Sequence, residues 1–73
     1  MRSGVLKFFD PRKDWGFIVD EETGKDVFVH GTAVHRSGIE KLIEGDPIWF
    51  QIFTNPKTGK NRADRLSLTQ PAN

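Results

Sequence analysis

Four flat side chains fall at alternate positions in two nearby segments of this chain. Trp15 and Phe17 lie in Lys13-Asp14-Trp15-Gly16-Phe17-Ile18, and Phe28 and His30 lie in Val27-Phe28-Val29-His30. Successive residues of a strand face opposite ways. Trp15 and Phe17 therefore share one face while Gly16 and Ile18 take the other. Phe28 and His30 oppose Val27 and Val29 in the same way. Pairing the two strands gathers three aromatic rings and an imidazole on one surface. Open π-faces of this kind stack unpaired nucleic-acid bases. The partner this pattern points to is single-stranded RNA and/or DNA.

Phenylalanine and tryptophan are more often buried than exposed, so each ring must be weighed against core packing. Phe50 belongs to the core, because it is in phase with Ile48 and Ile52. Phe17 and Phe28 do not, because they are out of phase with Ile18, Val27 and Val29. A small barrel has one interior, and the aliphatic set already claims it. Trp15 follows the same parity. Trp49 and Phe53 are also out of phase with the core, which makes them either a second patch or rings covered by a loop. Phe8 and Phe9 are adjacent, so they must split between the two faces or bulge.

The formal net charge is only +1, so bulk attraction for phosphate is weak. Affinity for a nucleic acid must come from stacking plus a local arrangement of charge. Lys7 and Lys13 flank the aromatic set, and Lys57, Lys60 and Arg62 are further candidates to steer a phosphate backbone. Any one of these lysines is as readily an ordinary solvated charge. Acid collects at Asp20-Glu21-Glu22, in a turn with no nucleophile nearby. No glycine-rich phosphate loop is present, so neither catalysis nor a small-molecule substrate is expected. Cysteine is absent and His30 and His35 are the only imidazoles. A metal centre, a disulfide and a cofactor are therefore not expected. His30, flanked by rings, is suited to stack on a base or hydrogen-bond to it.

Seventy-three residues allow one domain, residues 1–73 with its core at 4–68, and a modest interior. No long apolar run and no basic-then-apolar leader are seen, so the expectation is a soluble cytoplasmic protein without a membrane span. Val5–Phe9, Trp15–Val19, Asp26–His30, Ile48–Phe53 and Arg62–Leu68 read as strands. Asp10-Pro11-Arg12, Asp20 to Gly24 and Gly45-Asp46 read as turns, with Gly24 free to take positive φ. Asn55 to Gly59 reads as a flexible connection. Gly31–Ile39 reads as loop with room for one helical turn, and Glu40-Lys41-Leu42-Ile43 is the other hint of helix. Five short strands imply an all-β fold, a small five-stranded antiparallel barrel whose closure removes unpaired edges. Its expected core is Leu6, Ile18, Val27, Val29, Ile48, Phe50, Ile52 and Leu66, with Leu42 as a plug. Such a barrel is expected to be a monomer.

The two opening segments resemble the paired ribonucleoprotein-type motifs of the cold-shock domain family. The second motif, Val-Phe-Val-His, is matched in full at residues 27–30, with the usual aspartate before it at Asp26. The first, Lys-Gly-Phe-Gly-Phe-Ile, is matched at Lys13, Gly16, Phe17 and Ile18. Gly4 to Asp10 is similar to the family's opening Gly-x-Val-Lys-Trp-Phe-Asn, and Leu42, Glu44-Gly45 and Phe50 fall where it has Leu-x-Glu-Gly and a following strand. The similarity spans about Gly4 to Leu68, and the motifs together are specific. The resemblance implies an oligonucleotide-binding (OB) fold and a single-strand-binding function. It also implies that Phe8, standing where the family has an exposed tryptophan, stacks a base.

Four further positions depart from that pattern. Trp15 replaces phenylalanine and enlarges the stacking face. Asp14 replaces glycine, where aspartate tolerates the turn conformation and can pair with Lys13. Gly31 and Ile39 stand where the family has stacking phenylalanines. Each lost platform removes about 1–3 kcal/mol of base stacking. His35 and Arg36 are candidates to compensate, since both can stack on bases. Stacking accepts any base, so sequence preference should be mild. The resemblance implies an RNA-chaperone role or control of transcription or translation. The competing expectation is a protein-interaction module that uses the same exposed aromatic face.

Overall fold

The computed structural model describes residues 1–70 of the chain. Five strands, β1 (Arg2–Asp10), β2 (Trp15–Asp20), β3 (Asp26–His30), β4 (Pro47–Thr54) and β5 (Asn61–Ser67), close into a barrel in the order β1-β2-β3-β5-β4. One short helix, α1 (Gly31–Arg36), follows β3. The strand contacts are antiparallel except at one seam, where β3 and β5 run parallel through Phe28 opposite Arg62 and Val29 opposite Ala63.

Phase decides which residues fill the barrel. Leu6, Ile18, Val27, Val29, Ile48, Phe50 and Leu66 are buried as their alternation requires. Ile52 and Leu42 are half-buried and pack against that cluster. Ala33, Val34 and Ala63 join it, so α1 covers the barrel with one apolar face. The helix forms at Gly31–Arg36 rather than at Glu40 to Ile43, which carries no helix. His30 caps it: the imidazole Nδ1 accepts the Thr32 backbone N–H at 3.1 Å. That bond satisfies one of the open donors of the first turn.

β1 runs longer than its β-forming core, because Arg2 to Val5 pair with β4 while Gly4 to Asp10 pair with β2. A bulge between Leu6 and Phe8 shifts the β1–β2 register. Leu6 faces Ile18 inside, yet Phe8 faces Phe17 outside and Phe9 faces Gly16. The extra residue, Lys7, thus reverses the phase of the strand. This resolves the Phe8-Phe9 pair: Phe8 goes to the surface and Phe9 packs on the core.

The turns are tightly bonded. The Asp10 carboxylate accepts the Arg12 backbone N–H at 2.8 Å, and the Asp14 N–H donates to the Asp10 carbonyl at 2.8 Å. The connection at 55–59, expected to be flexible, is closed by Gly59 N–H to Asn55 carbonyl at 2.7 Å and Asn55 N–H to Lys60 carbonyl at 2.9 Å.

Among the described residues one carboxylate, that of Asp20, is buried. Asp20 Oδ2 takes the Arg2 Nε–H at 2.8 Å and also lies 2.6 Å from Arg2 Nη2, and Oδ1 takes the Glu22 backbone N–H at 3.0 Å. Burial alone would push this carboxyl up. The Glu22 N–H and the Arg2 guanidinium outweigh burial and hold it below its ordinary value. The same pairing raises Arg2.

Candidate nucleic-acid interface

β2 and β3 pair with Trp15 opposite His30 and Phe17 opposite Phe28. The bulged β1 adds Phe8 opposite Phe17. The result is one continuous cluster of rings outside the barrel. Phe8 lies 5.7 Å from both Trp15 and Phe17, and Trp15 lies 5.6 Å from Phe17. Phe28 lies 5.9 Å from Phe17 and 6.1 Å from Trp15, with His30 6.5 Å beyond it. Most of these contacts are edge-on or tilted, which is the favoured aromatic geometry. Each ring therefore half-shields its neighbour. Phe8, Trp15, Phe17 and Phe28 are half-buried, and His30 is exposed.

Gly16 lets β1 come this close. A Cβ at Gly16 would land on the Phe8 carbonyl oxygen and within 2.7 Å of the Phe9 Cα. His30 is oriented by its capping role. With Nδ1 accepting from Thr32, the proton of the neutral ring sits on Nε2.

Beside the rings runs a groove of about 510 Å³, lined by Phe17 and Phe28 and by Asn55, Thr58, Lys60, Asn61 and Arg62. Lys60 and Arg62 thus stand next to the aromatic cluster, and Lys57 is exposed on the same turn. Lys13 is exposed in the turn that leads into Trp15. Two of the other basic candidates are engaged. Lys7 Nζ lies 2.9 Å from Asp26 Oδ2, and Arg36 Nη2 lies 3.1 Å from Asp64 Oδ1. Arg36 lines a groove with His30 and Arg62, whereas His35 lines a different cavity with Phe9 and Asp14. The two are neighbours in sequence but are not brought to one place.

The Arg62 guanidinium also lies over the Phe53 ring, 4.7 Å from its centroid. Arg62 stands opposite both Phe53 and Phe28. Phe53 is 40% exposed; its cover is this guanidinium rather than a loop. The aromatic surface therefore extends across β5 to β4. Strand phase marks Phe53, but the β3–β5 seam that links it to Phe28 has no local sequence signal.

A family model for the 'Cold-shock' DNA-binding domain matches residues 2–69. The chain belongs to the cold-shock domain family. It is 42% identical over 66 residues to the cold shock protein CspA of Rhizobium meliloti, covering 90% of this chain and 96% of that protein. It is 40% identical over 65 residues to the cold shock-like protein CspE of Escherichia coli K12, covering 89% of this chain and 93% of that protein. The cold shock-like protein CspA of Rickettsia bellii is 43% identical over 65 residues, 89% of this chain and 90% of that one. Nucleic-acid binding of the cold-shock type is the function these matches support.

Within this cold-shock domain, two of the departures touch each other. Asp14 has φ +65°, the left-handed conformation that aspartate tolerates better than most residues. Its carbonyl accepts the Gly31 N–H at 2.8 Å. Its carboxylate occupies the space where a Cβ on residue 31 would stand. Asp14 does not pair with Lys13; the ion pairs of the described residues leave both out. Ile39 is half-buried and packs against the core. Among the described residues no cluster of three or more acidic or imidazole side chains could hold a metal ion, and no helix is long and apolar enough to cross a membrane.

Proposed function

We propose that this cold-shock domain binds single-stranded RNA or DNA by stacking successive unpaired bases on Phe8, Trp15, Phe17, Phe28 and His30. The observation that carries the reading is the continuous ring cluster lying outside a filled barrel and bordered by the Lys60–Arg62 groove. Half-shielded rings leave faces for bases, and the cations beside them suit a phosphate backbone. Lys13, Lys57, Lys60 and Arg62 steer that backbone. Lys7 and Arg36 contribute by exchanging an exposed carboxylate for a phosphate, since exposed ion pairs are worth only about 0–1 kcal/mol.

Stacking accepts every base, so sequence preference along the rings is mild. Capture of unpaired strands pulls RNA away from hairpins by mass action, the work of an RNA chaperone or of a regulator of transcription or translation. The protein acts as a cytoplasmic monomer and as a binder rather than an enzyme. A protein-interaction role for the same face is the alternative; the cationic groove continuous with the rings favours nucleic acid over it.

The test is hairpin opening. An RNA hairpin carrying a fluorophore and quencher should brighten on stoichiometric addition of the protein, and Phe17→Ala with Phe28→Ala should abolish the effect. A hairpin that stays closed at saturating protein would remove the chaperone role.

A further inference from the structure

Beyond the end of the ring cluster, next to Trp15 and His30 in the chain, lies a cavity of about 360 Å³. Its walls include Phe9, Val34, Ile39 and Leu42, and Asp14 and Gly31 line the same cavity. The Asp14 carboxylate takes up space that Gly31 leaves open. It takes part in none of the ion pairs of the described residues. The volume falls within the range of small-molecule sites and has room for one base.

We infer that this cavity reads a guanine in the bound single strand, with the Asp14 carboxylate accepting the base's N1–H and N2–H. The inference rests on the proposed single-strand reading, because the strand must first lie along the rings. A carboxylate only accepts hydrogen bonds, through two parallel oxygens. Guanine presents two parallel donors on its Watson–Crick edge, one on N1 and one on the amino group. Thymine and uracil present one donor flanked by carbonyl oxygens, which a carboxylate repels. Cytosine and adenine present one amino donor beside a ring nitrogen that accepts. A phosphate is repelled for the same reason of charge. Lys41 and His35 on the cavity lining are donors suited to the guanine O6. Glu40 also lines the cavity; a preference carried by Glu40 would survive Asp14→Asn.

The test is a fluorescence titration of the full chain with short oligo(dT) and with the same oligonucleotide carrying one deoxyguanosine, walked through each position. At one position guanine should bind about tenfold more tightly than thymine, within the discrimination expected of a bidentate contact. Hypoxanthine there, lacking the amino group, should lose most of that gain. Asp14→Asn should bring the guanine-to-thymine ratio to about one, with oligo(dT) binding showing that the variant is folded. A merely structural Asp14 would leave the guanine-to-hypoxanthine ratio unmoved. Oligo(dT) binding with no guanine preference at any position, or a preference that survives Asp14→Asn, overturns the inference alone. An arginine-containing peptide that binds and is released by Asp14→Asn, without a guanine preference, also overturns it. Failure of every oligonucleotide to bind overturns the single-strand reading and this inference together.

Discussion

Phe8 stands directly opposite Phe17, although Leu6, two residues earlier, stands opposite Ile18. One bulged residue separates the half of β1 that fills the barrel from the half that builds the ring cluster. Phe8 and Phe17 are 5.7 Å apart and each half-buried, so both contribute more to the surface than to the core. Alanine at either position should weaken oligonucleotide binding by about 1–3 kcal/mol. Urea unfolding should show a much smaller change in stability. Equal losses in both would mean that the rings serve folding, not binding.

Gly16 sets how closely β1 approaches β2. Gly16→Ala places a methyl group on the Phe8 carbonyl oxygen and near the Phe9 Cα. The strands must part, so a loss of about 3 kcal/mol is expected, at the upper end for overpacking. In a domain this small that is a large share of the total. The urea midpoint of Gly16→Ala is the measurement, and an unchanged midpoint would show that the ladder yields without cost.

Phe53 and Arg62 extend the platform past Phe28. Phe53→Ala should leave a very short oligonucleotide bound as before and weaken a longer one by about 1 kcal/mol or more, the stacking contribution of one base. Affinity measured against oligonucleotide length separates the two. A uniform loss at every length would place Phe53 in the fold instead of the binding path.

Asp20 links stability to acid. Its carboxyl is held below its ordinary value of 3.8 when folded, so the folded state favours the ionised form. That contribution is complete above the unfolded value and is lost as pH falls through the lowered folded value. Urea midpoints should therefore drop most steeply below pH 3.8. Asp20→Asn should be less stable at neutral pH and show a shallower acid limb. An acid limb unchanged from the parent's in Asp20→Asn would assign that limb to other carboxylates.

Ionic strength reports the phosphate contacts. Among the described residues, Lys13, Lys57, Lys60 and Arg62 are free of carboxylate partners, whereas Lys7 and Arg36 are paired. At about 0.7 per phosphate for a single strand, contacts by the free four give a log–log salt slope of about −3. A slope near zero would leave the basic groove without a role.

Strand phase made most of this legible. Ile18, Val27 and Val29 fill the interior, so Phe17 and Phe28 had to face out, and the family motifs agreed. Phase could not place Phe8 and Phe9, because a bulge at Lys7 resets it and nothing local to Lys7 marks the reset. The parallel β3–β5 seam joins residues far apart in the chain, so the tie from Phe28 through Arg62 to Phe53 was hidden. Asp14 and Gly31 read as two separate departures from the family pattern; only the turn at φ +65° brings them together. The partners of Lys7 and Arg36 are likewise long-range contacts that composition does not record.

Base stacking on the ring cluster is tested most directly by fluorescence titration of the Trp49→Phe protein, which leaves Trp15 as the only tryptophan, with short oligo(dT) at low and high salt. Saturable quenching that weakens with salt is expected, reduced by Phe17→Ala or Phe28→Ala alone and lost when the two are combined. No quenching by oligo(dT), oligo(dA) or a mixed RNA would contradict it and turn the ring cluster into a surface for a protein partner.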